Sequence, residues 1–318
     1  MPAIAQSACG KAILLGEHAV VHSQPAIAIP LSSKRITVRV EAQIVSPTGK
    51  IWVNSPVLGL NQDLGSLPEY HPLFQAVRLT LAELGVIQGP SCTLHISSTL
   101  PISSGLGSSA SLAVATIRAL SEFLGHPLDL DTVNRIAFEC ETYVHGKPSG
   151  IDNTVVTYEK PIFFQKDRGA EIIQPGKQFT FVLADSGVSK STHQTVAGLA
   201  RDLTDDFETI QPKLEQIGLL VIQGKQALLQ GNTDSLADAI NRNQALLSDL
   251  NLSCPELDLL IREAMRAGAL AAKLTGGGRG GHMLALVEDD KIEPVLEALQ
   301  KVLGSNPFFT IVKPGAEA

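Results

Sequence analysis

Four stretches of this sequence bring charged or hydroxyl side chains up against glycines. Lys11, Glu17 and His18 flank an apolar run, Ala12 to Leu15, that ends at Gly16. Leu100-Pro101-Ile102-Ser103-Ser104-Gly105-Leu106-Gly107-Ser108-Ser109-Ala110-Ser111 joins an apolar strand to an Ala-rich run of helical character. Glu139 and Glu141 precede His145-Gly146-Lys147-Pro148-Ser149-Gly150-Ile151-Asp152-Asn153, and Lys273-Leu274-Thr275 precedes Gly276-Gly277-Gly278-Arg279-Gly280-Gly281-His282. The second stretch has the clearest chemistry. Its glycines allow backbone conformations closed to other residues and a close approach to a ligand. The N–H groups of the first helical turn and the helix dipole converge on one point, which makes an anion site whose commonest occupant is phosphate. No Lys follows the second glycine, so this is not the G-x-x-x-x-G-K-[ST] loop. A neutralising cation must come from a metal or from a Lys distant in sequence.

Each stretch has a plainer explanation. Ser108 or Ser109 could be a helix N-cap, worth about 1 kcal/mol. Lys11 could be a solvated strand-edge residue, His18 a core histidine and Glu141 a solvated helical carboxylate. Asp152 could be one more turn residue among turn-formers. The last stretch could be a tight hairpin, but one or two glycines would serve there. Five in six positions offer bare backbone N–H groups to whatever lies against them. Taken together, the stretches supply a phosphate cradle, a carboxylate to hold Mg²⁺ (Glu141), a cation (Lys11) and a carboxylate to orient or deprotonate an acceptor hydroxyl (Asp152). Those are the parts that phosphoryl transfer needs.

The elements that must position these residues follow from periodicity and breakers. Ala12 to Leu15 and Ile36 to Val45 read as strands, the second alternating apolar and polar. Leu73 to Leu84 has helical spacing and stops at Gly85; Leu94 to Ser98 is a strand; Ser109 to Leu124 is a helix ended by Gly125. Asp131 is expected to cap a helix over Thr132 to Val144, and Val155 to Thr157 and Ile162 to Phe164 read as a hairpin. After the buried strand Phe179 to Ala184 come helices over Thr192 to Thr209, Lys213 to Leu229, Thr233 to Leu250 and Cys254 to Arg266, with Pro212 and Gly231-Asn232 as breaks. Strands at Ala272 to Leu274, His282 to Val287 and Phe308 to Val312, with a helix from Ile292 to Val302, complete an α+β layer.

Of the 318 residues, 44% are hydrophobic, 18% charged and 4% aromatic, an ordinary globular composition long enough for two domains. The net charge of −7 argues against a general nucleic-acid or membrane-surface binder, though not against a small anionic ligand. Met1 to Cys9 carries no basic region and no long apolar core, so no secretion leader is expected. No apolar run is long enough to predict a membrane span. Cys9, Cys92, Cys140 and Cys254 are scattered, which speaks against a disulfide framework or a metal cluster and fits a cytoplasmic protein.

The chain resembles the GHMP small-molecule kinases, whose three motifs it matches in order and spacing, and within them the mevalonate kinases. G-K-A-I-L-L-G-E-H-A-V-V-H is similar to the first motif, I-S-S-G-L-G-S-S-A-S to the phosphate loop, E-T-Y-V-H-G-K-P-S-G-I-D-N to the helix-end metal and base segment, and L-T-G-G-G-R-G-G to the third motif. The resemblance implies a two-domain α+β fold. Residues 1–180 would form an N-terminal mixed α/β layer with the phosphate loop, and residues 181–318 a C-terminal antiparallel sheet packed with helices. It also implies ATP and Mg²⁺ as co-substrate and cofactor, and transfer to the C5 hydroxyl of (R)-mevalonate. Asp152 and Lys11 would be catalytic. Pro101, Ser104, Gly105, Leu106, Gly107, Ser108, Ser109 and Ala110 would bind ATP. Ser109 and Glu141 would hold Mg²⁺. Glu17, His18, Ser149, Thr192 and Gly277 would lie along the acceptor with Lys11 and Asp152. Alternatives within the superfamily are a phosphomevalonate kinase, a mevalonate 3-kinase or a sugar kinase; outside it stands a nucleotide-binding relative without turnover. A homodimer is compatible with the sequence, which does not fix the oligomeric state. Arg279 and His282 replace small residues common in the animal-type members, and His22 stands where the first motif usually has Tyr. Arg279 is expected to pair with a surface carboxylate in preference to turning toward phosphate.

Overall fold

The computed structural model describes residues 3–43, 49–101, 105–146, 148–189, 192–302 and 305–314. Its backbone contacts divide the chain into two units, Met1–Lys11 with Lys34–Glu159, and Ala12–Ser33 with Lys160–Ala318. The sequence suggests a single cut near residue 180. The units are discontinuous instead because strands β1 (Ile4–Leu15) and β2 (Ala26–Ala42) run unbroken past Lys11 and Ser33 and so serve both.

In the first unit β3 (Ile51–Ser55), β4 (Leu60–Asp63), α1 (Pro72–Glu83), β5 (Cys92–Ser98), α2 (Ser108–Phe123), α3 (Leu130–His145) and α4 (Ile151–Tyr158) follow the strands. The later half of β2 pairs antiparallel with β5, from Ile36 opposite Ser98 to Ala42 opposite Cys92. β5 runs parallel to β3, and β3 pairs antiparallel with β4. Helix α2 is buried at every position from Ala110 to Ile117, so it is a central helix and not an amphipathic one. Its small residues let the elements around it approach closely.

Two expectations are corrected here. The cap of α3 is Asp129, whose Oδ1 accepts from the Thr132 N–H at 2.8 Å, with Asp131 already inside the first turn. Val155 to Thr157 belong to α4 and not to a hairpin. Their β-branched side chains favour strands only weakly, and burial of Val155, Val156 and Thr157 against the other helices overrides that preference.

The second unit continues with β6 (Ile162–Gln165), β7 (Gly169–Ile172), β8 (Phe179–Asp185), α5 (Thr192–Asp205), α6 (Phe207–Gln230), α7 (Thr233–Asp249), α8 (Pro255–Arg266), β9 (Ala271–Thr275), β10 (His282–Val287), α9 (Ile292–Gln300) and β11 (Phe308–Val312). β6 pairs with β7 and with the start of β2. An antiparallel sheet has the order β11-β8-β10-β9. Alternate residues Val182, Ala184, Met283, Ala285, Ala272 and Leu274 face a core completed by Leu214, Leu247, Leu260 and Val295 from the helices. The outer edge of β9 is closed by α7. Gln244 Oε1 accepts from the Leu274 N–H at 2.9 Å and Asn241 Oδ1 from that of Ala272 at 3.3 Å, which blunts an edge that would otherwise pair with another chain. The break between α5 and α6 comes at Asp206, whose side chain caps Thr209, and not at Pro212. Pro212 falls in the second turn of α6, where it removes only the one ladder bond its N–H would make.

Candidate active site

The first group of site residues belongs to the first unit. The Lys11 N–H donates to the Leu106 carbonyl at 2.9 Å and its Nζ to the Gly105 carbonyl at 3.2 Å, so the loop before α2 lies along this lysine. Gly107 has φ +77°, and a Cβ there would stand 2.8 Å from Lys11 Cγ. The glycine therefore serves the lysine's packing as well as the loop's turn. Lys11 Nζ is 3.3 Å from Asp152 Oδ2. The lysine side chain is 9% exposed and the aspartate 34%, so the carboxylate is the member of the pair that an incoming molecule can reach. Asp152 stands in the first turn of α4, where the helix dipole favours its charge. The turn is built by Gly150 at φ +89°, by Ser149 Oγ accepting from the Ile151 N–H at 3.3 Å, and by Thr154 Oγ1 donating to the Gly150 carbonyl at 2.7 Å. Asn153 is buried, and its side-chain amide meets that of Asn134 on α3 at 2.6 Å, which fixes α4 on α3.

The N-cap of α2 is Gly107, which has no side-chain acceptor, so neither Ser108 nor Ser109 is spent as the cap. Ser109 Oγ instead donates to Glu141 Oε1 at 2.6 Å. Glu141 is buried near the end of α3, which removes the reading of it as a solvated helical carboxylate. Ser111 Oγ, a residue that sequence reasoning assigns no role, donates to the Cys9 carbonyl at 2.6 Å and ties β1 to the start of α2. Leu106, Gly107 and Ala110 are buried, while Pro101 and Gly105 are exposed. Ser104 and the side chain of Thr192 lie outside the described residues.

The second group belongs to the second unit. Gly16, at φ +99°, turns the chain where a Cβ would come within 2.5 Å of the Pro25 carbonyl. Glu17 and His18 follow, both buried, with His18 at φ +60°, a conformation rare outside glycine. His18 Nε2 is 2.9 Å from the Gly277 carbonyl. A carbonyl only accepts, so Nε2 carries the proton and Nδ1 is an acceptor, buried without a hydrogen-bond partner among the described residues. Burial pushes the His18 pKa down to about 4, opposed by the bond to Gly277 and reinforced by Arg279, His22 and Lys273. The imidazole is neutral at physiological pH.

Glu17 forms a fully buried ion pair with Lys273 of β9, a partner the sequence did not reveal. The glycine run is a β9–β10 hairpin loop. Two of its glycines answer to protein packing and not to a ligand: a Cβ at Gly278 would stand 2.3 Å from the Leu252 carbonyl, and one at Gly280 2.3 Å from that of Val188. Arg279 does not pair with a carboxylate among the described residues. Its Nε donates to the Asn251 carbonyl at 3.0 Å and its N–H to that of Leu252 at 2.7 Å, which pins the loop.

The Lys11–Asp152 pair thus stands beside the loop that precedes α2, and Ser109 in the first turn of α2 meets Glu141. Residues 72–160 match the N-terminal domain of the GHMP kinases and residues 225–304 the C-terminal domain. The chain belongs to the GHMP kinases. Among curated GHMP kinases, the mevalonate kinase of Thermococcus gammatolerans is 33% identical over 96% of this chain and 94% of its own. That of Aeropyrum pernix is 32% identical over 98% and 96%. A crystal structure of L. major mevalonate kinase in complex with R-mevalonate superposes with a TM-score of 0.84 at 29% identity, covering 98% of this chain and 97% of that one. A Streptococcus pneumoniae phosphomevalonate kinase, at 17% identity and a TM-score of 0.79, shares the fold.

Proposed function

We propose that this GHMP kinase transfers the γ-phosphoryl group of ATP to the C5 hydroxyl of (R)-mevalonate. The observation that carries the chemistry is the Lys11–Asp152 pair, 3.3 Å apart, with Lys11 also bound to the phosphate-loop carbonyl of Gly105. Asp152 accepts or orients the proton of the acceptor hydroxyl as the oxygen attacks in line. Lys11 orients the carboxylate and offsets charge on the transferring group. Pro101, Ser104 and Gly105 to Ala110 hold the ATP phosphates. Glu17, His18, Ser149, Thr192 and Gly277 contact mevalonate. The neutral His18 suits a substrate hydroxyl, which can donate to its Nδ1.

Glu141 and Ser109 are the proposed protein ligands of Mg²⁺. Their donors are all oxygen, and Mg²⁺ is commonly held by one or two carboxylates together with substrate phosphates. When bound, Mg²⁺ would offset the charge of the ATP phosphates and stabilise charge developing on the leaving group. Among the described residues no helix is long and apolar enough to cross a membrane, and all four cysteines are free. A cytoplasmic location is proposed, and light scattering would decide whether the protein is a homodimer. The acceptor is tested by ADP formation with mevalonate, phosphomevalonate, galactose and homoserine. Mevalonate should exceed the others in kcat/KM. A preference for phosphomevalonate would replace this assignment with its nearest rival.

A further inference from the structure

Among the described residues Lys273 is the largest ionisable side chain that is fully buried, at 0% exposure. Lysines are almost never buried unless paired. Its Nζ meets Glu17 Oε1 and donates to the Leu274 carbonyl at 2.6 Å, and Glu17 is itself only 2% exposed. Burial lowers the Lys273 pKa, and the Glu17 charge opposes that shift. Taking two charges out of water costs as much as their attraction returns, so well-packed apolar residues would fill such a place equally well. The pair is therefore poorly explained by stability.

Nor is it needed to join the two segments that carry it. Thr275 Oγ1 accepts from the Ile13 N–H at 3.1 Å and donates to the Ile13 carbonyl at 2.8 Å. His18 Nε2 donates to the Gly277 carbonyl at 2.9 Å. Alternate residues 273, 275 and 277 thus each tie the segment that ends β1, and two of the three ties use neutral groups. The Lys273 tie differs in that it holds a carboxylate still and balances its charge. That matters for the acceptor proposed above, which is a carboxylate anion. A lone buried Glu17 would repel it. A Glu17 balanced by Lys273 holds its place in the turn before His18 without net repulsion of that anion.

We propose that Lys273 is a positioning residue for the acceptor substrate, acting through Glu17. The inference rests on the mevalonate reading, and the wild-type enzyme separates the two: if it does not phosphorylate mevalonate, the reading fails before any variant is made. The test is steady-state kinetics of Glu17→Gln, Lys273→Met and the double variant, each checked for native circular dichroism. Lys273→Met should raise the KM for mevalonate on the order of tenfold or more, with kcat and the KM for ATP within about threefold. The double variant should match Glu17→Gln within about threefold and not show the product of the two effects. A mevalonate KM for folded Lys273→Met close to wild type, or multiplying effects in the double variant, would overturn the proposal. If Lys273→Met does not fold, the comparison of Glu17→Gln with the double variant, in which both charges are absent, still decides: a further loss of about tenfold on removing Lys273 would show that it does not act through Glu17.

Discussion

Two lysine–carboxylate pairs stand in the two units, and their surroundings could hardly differ more. Lys11–Asp152 is half open: the aspartate side chain is 34% exposed, in a helix's first turn, beside a loop whose glycines wrap the lysine. Lys273–Glu17 is sealed, at 0% and 1% side-chain exposure. A carboxylate that must exchange a proton with a substrate needs access and a nearby cation. A carboxylate that must only be recognised needs a fixed position and a balanced charge. On the roles proposed above, the same residue types serve as a catalytic pair in one unit and as a positioning pair in the other.

The comparison breaks most readily at Asp152. Asp152→Asn keeps the shape and removes the charge, and should lower kcat by on the order of 10²–10⁴ with little change in ATP affinity. Near-normal kcat would remove Asp152 from the chemistry. Lys11→Met should also lower kcat, and the double variant should cost less than the sum, because the two act as a unit.

On the sealed side the neighbour of Glu17 provides a pH test. The His18 pKa is about 4 in the folded protein against an ordinary 6.5, so the unfolded chain takes up the proton first. Stability is complete above about pH 6.5 and is lost as the pH falls toward 4, by up to about 3 kcal/mol from this group. His22, His71 and His282 shift in the same direction through burial. His18→Gln should therefore flatten, without abolishing, the fall in urea midpoint from pH 7 to pH 5. An unchanged slope would mean that His18 is protonated in the native state.

A smaller effect is expected at the metal. Glu141→Gln and Ser109→Ala should each raise the Mg²⁺ concentration for half-maximal activity by about tenfold, as expected when one ligand contact is lost. Titrations unchanged from wild type in both variants would return Ser109 and Glu141 to a purely structural hydrogen bond. The smallest effect belongs to Arg279. Its bonds to the Asn251 and Leu252 carbonyls pin a loop, so Arg279→Ala should leave kcat and the KM for ATP within about threefold. A tenfold loss in kcat/KM for ATP would make it a phosphate ligand.

The open pair was far more legible in the sequence than the sealed one. Gly105, Gly107 and Gly150 punctuate the chain, and the elements they start carry Ser109 and Asp152 within a few residues. Local signals of this kind survive without tertiary information. Lys273 and Glu17 are 256 positions apart, and nothing near either one announces burial. The partners of Arg279 are backbone carbonyls of a connection whose proximity only the fold creates, so no local signal reveals them. At Val155 to Thr157 and at Pro212 the local preference is present, and packing or position within the helix overrides it.

The central claim is that ATP and mevalonate give a phosphate ester at C5. Proton-coupled ³¹P NMR of the reaction tests it directly. A phosphate on the C5 methylene couples to its two protons, so a new phosphomonoester triplet should grow in step with ADP. A new singlet would place the phosphate on the tertiary C3 oxygen, and ADP with only inorganic phosphate would show that no acceptor is phosphorylated; either result contradicts the account.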